Sequence, residues 1–211
     1  MRTSFLVDGF NLYHALSDAS HDLGGAGTRW LDLFGFCRSS LYLLGADARL
    51  EGVRYFSALA SHLELLKPDA SVRHLAYIEC LRTTGVQVEL SHFKKRRIKC
   101  PYCFRVLTRH EEKETDVALG ACLLELCSID RSDAIVLITG DSDLTPAVRT
   151  ARRLLPRVRL YSIFPYRRVS LELKAVVDQS FKTRSDRYVK HQRPDPFVLA
   201  DGRLLRKPPA W

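Results

Sequence analysis

No stretch of the 211-residue sequence stays apolar for the ~20 residues that a membrane-spanning helix requires. The N-terminal run, Met1 to Asp8, meets its first acid too early for a secretory leader, so a cytoplasmic protein with no membrane partner is expected. A phosphate loop of the Gly-x-x-x-x-Gly-Lys type is missing, which argues against nucleotide-driven work. No Ser/His/Asp or Cys/His order offers an activated nucleophile, and no internal repeat is present. Six cysteines in a cytoplasmic chain of this length do not form a disulfide framework. Cys37, Cys80, Cys122 and Cys127 lie in apolar helical patterns and read as small core residues.

Acids are also missing where bases are dense. His92 to His110 holds seven Lys or Arg and no acid, and Arg149 to Arg168 holds seven Arg and no acid. With a net charge of +9, the balance points to a polyanionic partner, although solvated surface charge explains either run taken alone. The acids concentrate instead in a few stretches, among them Glu111 to Asp116 and Asp130 to Asp143. A basic rim around an acidic pocket suits a phosphodiester substrate, the rim neutralising phosphates and the pocket holding metal.

What is there alternates strand with helix. Ser4 to Val7 is a short apolar strand ending in Asp8-Gly9, with a helix from about Asn11 to Leu16 and a mobile loop over Ser20 to Thr28. Trp30 to Leu44 and Pro68 to Thr84 have helical spacing; Val53 to Ala58 and Val86 to Leu90 read as strands. Glu111 to Cys127 reads as helix, Ala134 to Thr139 as a central strand, Asp143 to Leu155 as helix and Val158 to Ser162 as strand. Such alternation predicts an α/β protein whose mostly parallel sheet has helices on both faces. We expect one domain over residues 1–181, with 92–110 as a basic Cys-containing hairpin insert. Residues 182–211, basic and proline-bearing, are expected to form a weakly ordered tail.

In an open parallel sheet, ligands gather beyond the carboxyl ends of the strands. Two strands end there in acid: Val7-Asp8-Gly9-Phe10-Asn11, and Ile138-Thr139-Gly140-Asp141-Ser142-Asp143. Asp116 falls in the first turns of a helix that starts at the same edge. Any one of these acids could merely end a strand or cap a helix. Three acid-bearing segments converging on one edge point instead to a site that needs a cation, because like charges a few Å apart repel strongly. All-oxygen ligation favours Mg²⁺ or Mn²⁺ over zinc.

At these residues the chain resembles a known family. Phe5 to Tyr13, Glu112 to Val117 and Ile138 to Leu144 look like the three signature segments of NYN domains, members of the PIN-like nuclease superfamily, and the pattern is most similar to LabA-like proteins. The resemblance covers roughly residues 3–165 and implies a PIN-like α/β/α sandwich with Mg²⁺- or Mn²⁺-dependent RNA cleavage. Carried onto this sequence, it makes Asp8, Asp116, Asp141 and Asp143 the catalytic metal carboxylates and Asn11 a polar orienter. Thr139 and Ser142 become pocket hydroxyls, and Lys113 either a phosphate contact or a surface lysine. Lys94, Lys95, Arg96 and Arg97 would hold single-stranded or structured RNA. The resulting expectation is an endoribonuclease; a catalytically silent RNA-binding regulator and a flap-type DNA nuclease are its rivals.

Lys99-Cys100-Pro101-Tyr102-Cys103-Phe104 leaves three readings open. One is a redox pair, although the flanks look like hairpin arms rather than a strand and a helix. A second is a zinc knuckle completed by His92 and His110. The third is two unligated cysteines in a basic loop. Phe93, Tyr102 and Phe104 read as the hairpin's small apolar core, or else as platforms for unpaired bases.

Overall fold

The computed structural model describes residues 1–59, 69–129 and 131–211, with the side chains of 70, 94–96 and 107–113 left out of that description. Seven strands form one sheet in the order β4-β3-β2-β1-β5-β6-β7. They are β1 Arg2–Asp8, β2 Arg49–Ala58, β3 Gln87–Lys99, β4 Val106–Lys113, β5 Ala134–Ile138, β6 Arg159–Phe164 and β7 Gln179–Lys182. Six run parallel, and β4 alone is antiparallel, folded back on β3.

The chain lays down β1, β2 and β3 in one direction, then crosses back to place β5, β6 and β7 on the other side of β1. The sheet therefore reverses its winding between β1 and β5, which opens a crevice at their carboxyl ends. Both strands are buried along their apolar runs and send alternate residues to opposite faces. Phe5, Val7, Val136 and Ile138 pack under α1 (Gly9–Asp22), α2 (Leu33–Ser40) and α3 (Asp69–Thr83). Leu6, Ile135 and Leu137 pack under α4 (Thr115–Ser128), α5 (Thr145–Leu154) and α6 (Leu171–Val176). Each of these buried apolar side chains contributes about 1.5–3 kcal/mol through removal from water. The result is the expected α/β/α sandwich with helices on both faces.

Four expectations need correction. Helix α1 continues to Asp22, and the segment after it is held in place: the Thr28 hydroxyl donates to Leu16 O at 2.7 Å, and the Ser20 hydroxyl to Ala26 O at 2.8 Å. Glu111 to Lys113 belong to β4 rather than to a helix, since the ladder pairs Lys113 with His92. The third concerns the C-terminal segment, which is no loose tail. It forms α7 (Ser185–Lys190) and the hairpin β8 (Phe197–Val198) and β9 (Leu204–Leu205). Tyr188 is fully buried, the Arg193 guanidinium donates to the Thr84 hydroxyl at 3.1 Å, and the Trp211 ring meets Trp30 and Tyr77 at 6.1 and 5.7 Å. Fourth, Tyr102 and Phe104 are exposed rather than forming a hairpin core, and Phe93 sits edge-on to Phe10 at 5.8 Å. Pro68, expected at the start of α3, lies outside the described residues.

Candidate metal centre

Val7 of β1 pairs with Ile138 of β5, so the next residues, Asp8 at the end of β1 and Thr139 just beyond β5, lie side by side. A glycine follows each acid-bearing strand for steric reasons. A Cβ on Gly9 would lie 2.6 Å from the Tyr55 ring and 2.7 Å from Phe56 O, and one on Gly140 would lie 1.9 Å from Arg168 O. Only glycine lets these turns pass so close to their neighbours.

The two turns are tied by hydrogen bonds. Asp8 caps α1, accepting from the Asn11 N–H at 2.9 Å on one carboxylate oxygen and from the Thr139 hydroxyl at 2.8 Å on the other. Thr139 Oγ1 in turn accepts from the Asp141 N–H at 3.0 Å, and Asn11 Oδ1 accepts from the Gly140 N–H at 3.0 Å. Asp141 caps the 3-10 turn Ser142–Leu144 by accepting from the Asp143 N–H at 2.9 Å. Asp116 arrives from the other direction. Glu114, in left-handed conformation at φ 79°, turns the chain out of β4 so that α4 begins with Asp116 in its first turn.

Asp8, Asp116 and Asp141 thereby present carboxylate oxygens that all lie within 4.8 Å of one another. Asp8 is buried, Asp141 half-buried and Asp116 exposed. Burial is the largest cause of the raised Asp8 pKa; its hydrogen bonds from Asn11 and Thr139 oppose the rise and the Asp141 charge adds to it. Desolvation, followed by the charges of Asp141, Asp8 and Asp143, pushes the Asp116 carboxyl up to about 6. Three hard oxygen donors gathered this closely fit a divalent cation, whose charge would offset the repulsion among the carboxylates.

Three of the four expected aspartates are brought together. Asp143 is exposed on the 3-10 turn and stays outside the group, although close enough for its charge to reach Asp116. Thr139 is fully buried, and its hydroxyl is engaged with Asp8 and Asp141. Ser142 is exposed on the same turn as Asp143. Asp8, Asn11, Asp116 and Asp141 line a cleft of about 170 Å³ together with Phe10, His14 and Arg168. Arg168 ends the basic run that begins at Arg149. It reaches the cleft from the loop after β6, with its guanidinium on Asp18 at 2.6 Å, and no spacing in the sequence announces that contact.

A larger cavity of about 340 Å³ shares Phe10 and His14 with the first, and Tyr13, Tyr55, Phe93 and Trp211 supply aromatic walls. His74 lines it too, its imidazole lowered to about 4 by burial and 3.5 Å from the Ser57 hydroxyl. Sequence reasoning missed this cavity because its walls come from segments scattered from Gly9 to Trp211.

The hairpin does not assemble the expected zinc set. Its register places His92 opposite Lys113 and His110 opposite Lys95, while the turn lies beyond Lys99 and Val106. At about 3.3 Å per residue, the backbones of both histidines are more than about 13 Å along the ladder from the cysteines, too far to share an ion. His92 instead pairs with Glu114 at 3.7 Å. Arg97 is exposed on β3; the side chains of Lys94, Lys95, Arg96, His110 and Lys113 lie outside the described ones.

A sandwich of this topology, with carboxylates gathered where its winding reverses, is a PIN-like α/β/α protein. The NYN domain family matches residues 2–184, and the chain belongs to it. NYN domains are part of the PIN-like nuclease superfamily, whose members are typically hydrolases acting on nucleic acids. No curated protein matches the chain. Among solved structures, a protein of unknown function from Vibrio parahaemolyticus is similar at 19% identity, with 88% of this chain and 94% of that one covered and a TM-score of 0.57. At that identity the likeness is one of fold. Among the described residues no helix is long and apolar enough to cross a membrane.

Proposed function

We propose that this chain is a metal-dependent endoribonuclease that hydrolyses single-stranded or looped RNA. The observation that carries the reading is the meeting of Asp8, Asp116 and Asp141 within 4.8 Å at the point where the sheet reverses its winding. Their all-oxygen donor set suits Mg²⁺ or Mn²⁺. Such an ion acidifies water, polarises a phosphoryl oxygen and offsets charge on the leaving oxygen.

The chain's own residues supply the rest. Thr139 and Asn11 hold Asp8 and the Gly140 turn, so that the carboxylates keep their spacing before substrate arrives. Asp143 adds negative potential from the rim, and its charge strengthens cation binding without direct contact. Arg168 lines the same cleft, where a substrate phosphate could meet it. Lys94 to Arg97 of β3 and Lys113 of β4 would supply the sequence-independent charge that backbone phosphates require. The neighbouring aromatic cavity suits a base that is not paired, because stacking needs an open π-face.

Labelled single-stranded RNA incubated with the protein and Mn²⁺ should be cut internally. A chelator should stop the cutting, and Asp141→Asn should lower it by on the order of 10²-fold or more. Single-stranded DNA and flap duplexes run in parallel should be cut more slowly. Undiminished cleavage by Asp141→Asn would contradict the mechanism, and faster cleavage of a flap duplex would transfer the activity to DNA.

A further inference from the structure

The β3–β4 hairpin carries a second group of metal-binding atoms, remote from the aspartates. Lys99 and Val106 close its ladder, leaving Cys100 to Arg105 as the turn. The Cys100 N–H donates to Arg105 O at 2.9 Å and the Phe104 N–H to Cys100 O at 3.0 Å, with Phe104 left-handed at φ 57°. The turn directs the backbone N–H groups of Cys103 and Tyr102, and the Cys103 thiol, onto the Cys100 sulfur. The two sulfurs thus point to the same place, and thiolate is the form that binds a soft metal.

Two thiolates two residues apart are half of a tetrahedral zinc set. The chain does not complete it. Among the described residues no third His, Cys, Asp or Glu comes within ligand distance of the pair. The remaining cysteines are buried in the core, and the ladder register holds His92 and His110 away from the turn. The tip is well placed to find its missing ligands elsewhere. Eight paired residues, His92 to Lys99, carry it about 25 Å along the hairpin at roughly 3.3 Å each. It is also exposed: Tyr102 is 91% accessible, Phe104 66% and Val106 62%.

We propose that one zinc ion joins two copies of this chain tip to tip, bound by Cys100 and Cys103 of each. Zinc with four thiolates carries a net charge of −2, since two positive charges meet four negative ones. That charge explains why the tip tolerates so many bases. Arg97, Lys99 and Arg105 flank the cysteine pair in sequence and would repel their counterparts on the other copy; the dianionic centre turns the repulsion into attraction. Lys99 already leans over the Phe104 ring at 5.2 Å, beside the site it would neutralise. The exposed rings of Tyr102 and Phe104 lose water in the same contact. Two hairpin tips bury too little surface to associate stably by themselves, so the pairing depends on the ion.

The test is to purify the full chain with zinc and measure metal content and mass in solution, for the parent and for Cys100→Ser and Cys103→Ser. Circular dichroism would check that each variant remains folded. The expected result is a dimer whose zinc content exceeds that of either variant by one ion per two chains. A thiol-competing chelator should return it to monomer, and both variants should be folded monomers. Cobalt(II) in place of zinc should give the absorption bands of a tetrahedral four-sulfur site in the parent and lose them in the variants. A monomer with one cysteine-dependent zinc per chain would overturn the proposal. So would a parent with no cysteine-dependent zinc, an intramolecular Cys100–Cys103 disulfide in its place, or a dimer that survives both substitutions.

Discussion

Thr139 donates its hydroxyl to the Asp8 carboxylate across the junction of β1 and β5 at 2.8 Å, and both residues are buried. One side chain therefore fixes two acids, because the same oxygen accepts the Asp141 N–H. Replacing it with valine keeps the shape and leaves a buried carboxylate oxygen and a backbone N–H without their partner. Thr139→Val should cost about 1–3 kcal/mol of stability in denaturant unfolding. It should also weaken Mn²⁺ binding, although Thr139 itself offers the ion nothing in this arrangement. An unchanged Mn²⁺ affinity would remove Thr139 from the positioning role.

Gly140→Ala tests the other half of the junction. The added methyl would lie 1.9 Å from Arg168 O, a backbone atom that cannot swing aside. The turn must open, carrying Asp141 away from Asp8. We expect a loss of about 2–4 kcal/mol and a cleft that no longer binds divalent cation, read by thermal unfolding and by Mn²⁺ titration. Gly24→Ala is the control for handling, since nothing lies within 4 Å of its Cβ position, and its positive φ of 66° predicts only a strain of about 1 kcal/mol.

The Asp116 carboxyl, raised from 3.8 to about 6, makes stability depend on pH in a stated direction. The folded chain binds this proton more tightly than the unfolded chain does. The stabilisation it brings is complete below about 4 and is lost as pH rises through about 6. In chelator, the difference in melting temperature between Asp116→Asn and the parent should grow in favour of the variant from pH 4 to pH 7. After allowance for solvent screening the gain at pH 7 should be about 1 kcal/mol. Divalent cation reverses the order: its affinity for the parent climbs as pH rises through about 6 and levels off above it, where the proton no longer competes, and the variant gains little from it.

Trp211 closes the wall between the aromatic cavity and the core, its ring against Trp30 and Tyr77. Trp211→Ala should cost about 1–3 kcal/mol of stability, because its ring packs as part of the body. Limited proteolysis should then release the C-terminal hairpin faster from the variant than from the parent.

Much of this was legible in the residues before any coordinates. The strand at Ala134 to Ile138 and the acid-glycine pairs after β1 and β5 announce themselves, because a continuous apolar run and an abrupt turn are local signals. Convergence of Asp8, Asp116 and Asp141 followed from placing all three segments at one sheet edge. What local pattern does not carry is reach. Asp143 is two residues from Asp141, yet its place on a 3-10 turn leaves it outside the ion-binding group. The histidines bracketing the cysteines looked like zinc ligands by sequence distance, but extended strands convert that distance into length rather than proximity. The C-terminal segment misled through composition: its bases and prolines hid Tyr188, Leu199 and Trp211, three apolar residues that dock it. Arg168 and the aromatic cavity depend on contacts between distant segments, to which periodicity is blind.

The account rests on three carboxylates holding one kind of ion, and calorimetric titration of the chain with Mn²⁺ at pH 7 measures that most directly. The parent should bind with saturable heat, and Asp8→Asn and Asp141→Asn should each weaken binding by on the order of 10²-fold while remaining folded. Equal binding by the parent and both variants, or none by the parent, would contradict it.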